Sequence, residues 1–250
     1  MDIKSKENVS GEASTSDRYI IPVAVIAAIL IIGAALYFGH GSAPVAPSGV
    51  VSSGSPSTHN AQAGINIKNI KTVVGNPYIG KLNAPVTMTV WFDYQCPFCK
   101  KLDEDTISKL YKNYVQTGKL RIVFKDFSFV GPDSTTDALF ARAVWALYPN
   151  KFYEWNHAMF NAQDGENIGF GNLASVEKLT KTIPGIDEAK VVALRSQKKA
   201  KFLSEINADR LEGQALGING TPSFIIGTHM YHGALPYAIV SAAINAQLKR

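Results

Sequence analysis

Residues 86–100, VTMTVWFDYQCPFCK, join an apolar run to a pair of cysteines, and the way the two meet decides the fold. Residues 87–92 (TMTVWF) are β-branched, apolar and aromatic, the composition of a short strand covered on both faces. Pro97 follows Cys96 directly and suits the first position of a helix, where a missing N–H leaves no bond unmade. Beyond it Leu102, Ile107, Leu110 and Tyr114 recur at near-helical spacing with charged residues between them. The pattern predicts a strand that turns into a helix at Cys96. The Cys96 sulfur is then expected to face unpaired amides and the positive end of the helix dipole. Such a place favours thiolate over thiol, and thiolate is the form that attacks or leaves in disulfide exchange. Cys99 lies one turn further in and is expected to be the resolving thiol.

These are the only two cysteines among 250 residues, so a disulfide within one molecule can join only this pair. Its loop encloses two residues and removes little entropy from the unfolded chain, which points to chemistry rather than a structural staple. A metal would need two further ligands, and His157, His229 and His232 are not at ligand spacing from Cys96, so neither metal nor cofactor is expected. Asp93, three residues before Cys96, is a candidate acid/base near Cys99, with a solvated strand end as the alternative.

Residues 19–38 (YIIPVAVIAAILIIGAALYF) carry no charge and span about 30 Å as a helix, the thickness of a hydrocarbon core. A transmembrane anchor is expected there, after a cytoplasmic tail at 1–18. Small residues at 41–43 leave a cleaved signal peptide as the alternative. Lys4, Lys6 and Arg18 precede the span and no lysine or arginine follows until Lys68, which puts the N-terminus in the cytoplasm and the rest outside. A dithiol that cycles through a disulfide belongs on that oxidising side. Residues 39–66 are rich in Ser, Gly, Pro and Ala and are expected to be a flexible linker to one domain over 67–250. The net charge of +5 is interspersed, and the densest bases, Lys198, Lys199 and Lys201, suit a solvated helix face. Nucleic acid is therefore not an expected partner.

Within the outer domain, residues 120–124 (LRIVF) predict a second strand, parallel to the first because a helix-length crossover joins them. Helices are expected at 137–148, 152–161, 175–182 and 187–216, forming an insertion over about 134–212. Trp145, Tyr148, Trp155 and Phe160 are expected in its core. Strands return at 223–226 and 229–232 around a tight Gly227-Thr228 turn, and a last helix covers about 236–248. Gly220-Thr221-Pro222 opens the returning strand, a place where proline need not donate to the ladder. Local chemistry alone favours a trans peptide at Pro222.

Taken together, Phe92-Asp93-Tyr94-Gln95-Cys96-Pro97-Phe98-Cys99, Gly220-Thr221-Pro222-Ser223-Phe224 and Gly233-Ala234-Leu235-Pro236-Tyr237 resemble the DsbA-like branch of the thioredoxin superfamily. The resemblance covers roughly 75–250. It implies an α/β thioredoxin-like fold with an inserted helical domain, here preceded by an N-terminal transmembrane helix. It also implies that Cys96 is the exposed nucleophile, that Cys99 is its buried partner, and that Thr221–Pro222 is cis and lies against the disulfide. Thr221, Pro222, Pro97 and Phe98 would then meet substrate, and Pro222 would belong with the cysteines to the catalytic set. Phe98 departs from the family's best-known oxidants, which carry histidine there.

The function expected is an extracytoplasmic thiol:disulfide oxidoreductase, a monomer that oxidises cysteine-containing exported polypeptides. A membrane protein that reoxidises the pair is the expected further partner. A reductase, for instance in cytochrome maturation, and a non-redox peptide-binding module are the alternatives.

Overall fold

The structure, a computed structural model, describes residues 75–166 and 168–249 together with the backbone of Gln62–Ala63. The expected tail (1–18) and membrane span (19–38) lie outside the described residues, among which no helix is long and apolar enough to cross a membrane.

The sheet is built around β3 (Val86–Phe92), which pairs parallel with β4 (Leu120–Asp126) and antiparallel with β5 (Ser223–Ile226). β6 (His229–His232) continues beyond β5, and β2 (Tyr78–Ile79) closes the other edge antiparallel to β4. β1 (Gln62–Ala63) pairs antiparallel with β6, so the strand order is β1-β6-β5-β3-β4-β2. This last pairing corrects the expectation that 39–66 is linker throughout. Ladder bonds join main-chain groups, so a segment poor in large apolar residues can still cover the open edge of β6.

β3 meets a neighbour on each edge and is buried on both faces, as its composition predicted. Helix α1 follows it, opening at Pro97–Leu102 and running on through π turns at Asp103–Ile107 and Tyr111–Val115, with Ser108–Leu110 between them. Met88, Val90 and Phe92 point from β3 into the main core with Leu102, Ile107 and Leu110 of α1 and with Val240 and Ile244 of the last helix. Trp91, on the other face, joins Phe127, Ile218, Ile225 and Met230.

Between β4 and β5 the chain forms the helical insertion: α2 (Pro132–Leu147), α3 (Phe152–Ala162), α4 (Leu173–Thr182), α5 (Glu188–Gln197) and α6 (Lys199–Ala215). The last helix, α7, is Tyr237–Leu248. α2 begins at Pro132 rather than at 137, because proline fits the first turn, and α4 begins two residues before 175 under an Asn172 side-chain cap. The single helix expected over 187–216 is two helices broken at Lys198, whose ψ of 12° leaves the helical region. Lys198, Lys199 and Lys201 are exposed, as their spacing suggested. Trp155 and Phe160 are buried, whereas Trp145 and Tyr148 are half-buried.

The insertion and the sheet share one core. Tyr94 stacks on Phe160 at 5.1 Å and meets Phe92 edge-on at 4.9 Å, contacts each adding about 0.5–1.5 kcal/mol beyond area burial. On the opposite face α6 lies so close to β3 that a Cβ at Gly213 would stand 2.9 Å from the Trp91 ring, which explains the glycine. The Trp91 indole donates to the Asp209 carbonyl at 3.0 Å. Beside it sits a buried ionic cluster in which Asp209 receives Lys125 (3.2 Å), Asn76 (2.6 Å) and Arg142, while Arg142 also holds Asp126.

Candidate active site

Three segments converge at the C-terminal end of β3: the turn into α1, the start of β5, and the loop that follows α3. Cys96 occupies the N-cap of α1 with extended dihedrals (φ −83°, ψ 119°), and Pro97 takes the first helical position. The sulfur forms no formal capping bond. Its own hydrogen bond is to the Thr221 carbonyl, 3.4 Å away. The Thr221–Pro222 peptide is cis, unlike the trans form that local chemistry favoured, and it brings Thr221 against Cys96.

The electrostatics separate the two thiols. Cys96 is lowered from the usual thiol range to about 6, first by a hydrogen bond from the Cys99 thiol. The Thr221 side chain and the amides of Cys99 and Phe98 act in the same direction, against a burial that raises it. The Thr221 hydroxyl is buried and has no other partner among the described residues, so its hydrogen is free to turn toward the sulfurs. Cys99 moves the opposite way. Burial pushes its thiol well above the ordinary value, and the neighbouring Cys96 adds to the effect. A low-pKa sulfur backed by a high-pKa one divides the labour of exchange: one ionises at neutral pH, while the other stays protonated and can donate to it.

One expectation fails on exposure. Cys96 is not an exposed residue: it is 5 % accessible, against 2 % for Cys99. The exposed members of the motif are Pro97 and Phe98, the latter 62 % accessible, so an approaching chain meets an apolar ring before it meets sulfur.

Asp93 lies at the base of the cysteine turn. It is buried, which removes the solvated alternative, and its carboxylate accepts from the amides of Gln95 (2.9 Å), Phe129 (2.9 Å) and Val130 (3.1 Å). These bonds make it a clasp between the cysteine turn and the loop after β4. Its link to Cys99 is the main-chain amide rather than the carboxylate.

Several residues at the site had no signal in the sequence. Gln95 donates to Asp137 at 2.7 Å and to the Phe170 carbonyl at 3.2 Å, and it fills space that a Cβ at Gly171 would need. Gln163 donates to the carbonyls of Tyr94 and Cys96. Lys100 returns the contact, donating to the Gln163 carbonyl at 2.8 Å. Each joins positions separated by more than 40 residues, so no local pattern marks them.

Known proteins carry the same organisation. The chain is 28 % identical over 182 residues to disulfide bond formation protein D of Bacillus subtilis, covering 71 % of this chain and 79 % of that one. The solved structure of oxidised BdbD from Bacillus subtilis superposes with a TM-score of 0.65 at 26 % identity, covering 76 % of this chain and the whole of the crystallised chain. The thiol-disulfide exchange protein α-DsbA2 of Wolbachia pipientis gives a TM-score of 0.64 at 29 % identity, over 72 % of this chain and 91 % of its own. With the thioredoxin family model matching residues 72–246, strands β2 to β6, the helical insertion and the cysteine turn all fall inside one aligned region, and the chain belongs to the thioredoxin family.

Proposed function

We propose that this chain is a thiol:disulfide oxidoreductase that forms disulfides in exported proteins by exchange at Cys96 and Cys99. The observation that carries this is the asymmetry of the pair, one sulfur acidified to about 6 and the other held protonated by burial. In the oxidised protein a substrate thiolate attacks the Cys96 sulfur, the Cys96–Cys99 bond breaks, and Cys99 leaves with the electron pair and takes up a proton. A second substrate thiolate then attacks the substrate sulfur of the mixed disulfide and releases Cys96 as a thiolate. The substrate loses two electrons and the protein gains them. Release of an acidified Cys96 is downhill at neutral pH, which favours oxidation of the substrate. The name of the Bacillus subtilis relative, a disulfide bond formation protein, supports the same direction.

Substrate docking is assigned to Pro97, Phe98, Thr221 and Pro222, the residues that surround the sulfur. Residues 19–38 would anchor the domain outside the cytoplasmic membrane, beside a membrane protein that withdraws the two electrons and restores the disulfide. The decisive assay mixes the oxidised chain with a reduced, unfolded protein whose activity depends on its disulfides. Activity should return in step with loss of the Cys96–Cys99 bond. No recovery beyond that seen with air alone would defeat the proposal.

The acidity has its own test. In the reduced chain, alkylation of Cys96 should rise through a midpoint near pH 6 and level off above pH 7, while Cys99 stays unreactive through neutrality. Mass spectrometry of timed iodoacetamide quenches reads both sites. A Cys96 midpoint in the ordinary range near 8.5 would contradict it.

A further inference from the structure

We propose that Gln163 is a positioning residue through which the helical insertion holds the Cys96 turn in register with the first amides of α1. Gln163 is the C-cap of α3, is 5 % accessible, and its side-chain amide reaches back to two main-chain carbonyls, those of Tyr94 and Cys96 (3.3 Å for the second). Both partners are acceptors, so the NH₂ end must face them and the bonds have only one sense. The Cys96 carbonyl already receives the amides of Cys99 (2.9 Å) and Lys100 (3.2 Å), the bonds that open the helix. Gln163 therefore pins the same peptide unit from outside the helix, one covalent step from the Cys96 Cα. The grip is reciprocal. Lys100 Nζ donates to the carbonyls of Gln163 (2.8 Å) and Asn161 (3.3 Å), covering the carbonyl end of α3 just as Gln163 covers the turn before α1.

The consequence for chemistry is geometric. The sulfur gains from the amides of Phe98 and Cys99 only while the Cys96 peptide keeps its orientation, and that gain falls steeply as donor and sulfur separate. Without the Gln163 donor the Tyr94 carbonyl is left buried and short of a partner, and the turn relaxes toward water to satisfy it. The sulfur then moves off the helix end and its anion is less stabilised. The insertion, which contributes no atom to the exchange itself, would in this way set how acidic Cys96 is.

The inference rests on the exchange reaction proposed above, and its test separates the two. Gln163→Met keeps the length and apolar bulk of the side chain and removes both donors. In the full chain the thiolate absorbance of Cys96 should then titrate about one pH unit higher than in the wild type. At pH 7 that change corresponds to an equilibrium with glutathione about fivefold less oxidising. Near-UV circular dichroism checks that the variant is folded, and an unchanged midpoint in a folded variant overturns the assignment. Should Gln163→Met fail to fold, Gln163→Glu is read instead. An ionised carboxylate there cannot donate and repels the thiolate, so the midpoint must rise further, and a wild-type midpoint overturns the assignment again. The titration is read whether or not exchange occurs. A wild-type chain that never equilibrates with glutathione therefore defeats the exchange reading alone, while the midpoints still decide the role of Gln163.

Discussion

Replacing Cys96 by serine is expected to abolish oxidation of substrate thiols completely, while Cys99→Ser leaves a protein that captures substrates and does not release them. The first variant has no disulfide to deliver, and its remaining thiol is buried with a pKa well above the ordinary value, so it does not attack at neutral pH. The second keeps the acidified sulfur. Offered a disulfide-bonded substrate, Cys96 attacks, forms the mixed disulfide and meets no internal thiol to resolve it. Non-reducing electrophoresis should show discrete adducts for Cys99→Ser and none for Cys96→Ser. Adducts on Cys96→Ser would reverse the assigned order of attack.

The same position separates two causes of the acidity. The leading stabiliser of the Cys96 anion is the hydrogen bond from the Cys99 thiol. Serine at 99 retains a donor and alanine does not. Cys99→Ala should therefore titrate clearly above pH 6, with Cys99→Ser nearer the wild type. If both variants titrate together, the helix amides and Thr221 dominate instead.

The parts of this molecule that were legible in its sequence are those fixed by neighbours along the chain. The β-branched run before Cys96 and the proline after it place strand, turn and helix within fifteen residues, and the Gly227-Thr228 pair places β5 against β6. What was not legible depends on distant partners. Asp93 has the pattern of a strand end, and only the loop after β4, more than 30 residues away, turns its carboxylate into a buried clasp. Gln163 carries no motif, and its function exists only because α3 ends beside the cysteine turn. Gln62–Ala63 pair through main-chain groups, which composition does not encode. The exposure of Cys96 failed for a related reason. The N-cap position follows from local sequence, but the cover over it comes from Thr221, 125 residues later.

The largest effect on stability is expected from Arg142→Met, in the ionic cluster behind the sheet. Arg142 is 3 % accessible and reaches Asp126 twice, through Nε at 2.8 Å and Nη2 at 2.5 Å, as well as Asp209. Methionine fills much of the same volume but leaves Asp126 and Asp209 facing each other with Lys125 as the nearest remaining cation, itself shared with Glu212. Stranding a buried charge in this way costs about 3–5 kcal/mol, or roughly 6–20 °C in Tm for a domain of this size. The deficit should also depend on pH. Burial already lifts Asp126 to about 6 in the folded chain, with Arg142 opposing the rise. A carboxyl with a raised folded pKa binds its proton more tightly in the native state, so its contribution is full below the unfolded value near 4 and is lost as pH rises through 6. Without Arg142 the folded pKa climbs further, and protonation offsets part of the damage. Thermal melts should therefore show a smaller gap between variant and wild type at pH 5 than at pH 8, and equal gaps would mean that lost packing, not charge, is responsible. The cluster reaches the redox site through the chain itself. Asp126 is followed directly by Phe127, whose amide donates to the Phe92 carbonyl at 2.9 Å, and then by the loop amides that hold Asp93. A weakened cluster thus loosens the base on which the cysteine turn stands, and the oxidising activity of Arg142→Met should fail at a lower temperature than that of the wild type, in step with its melt.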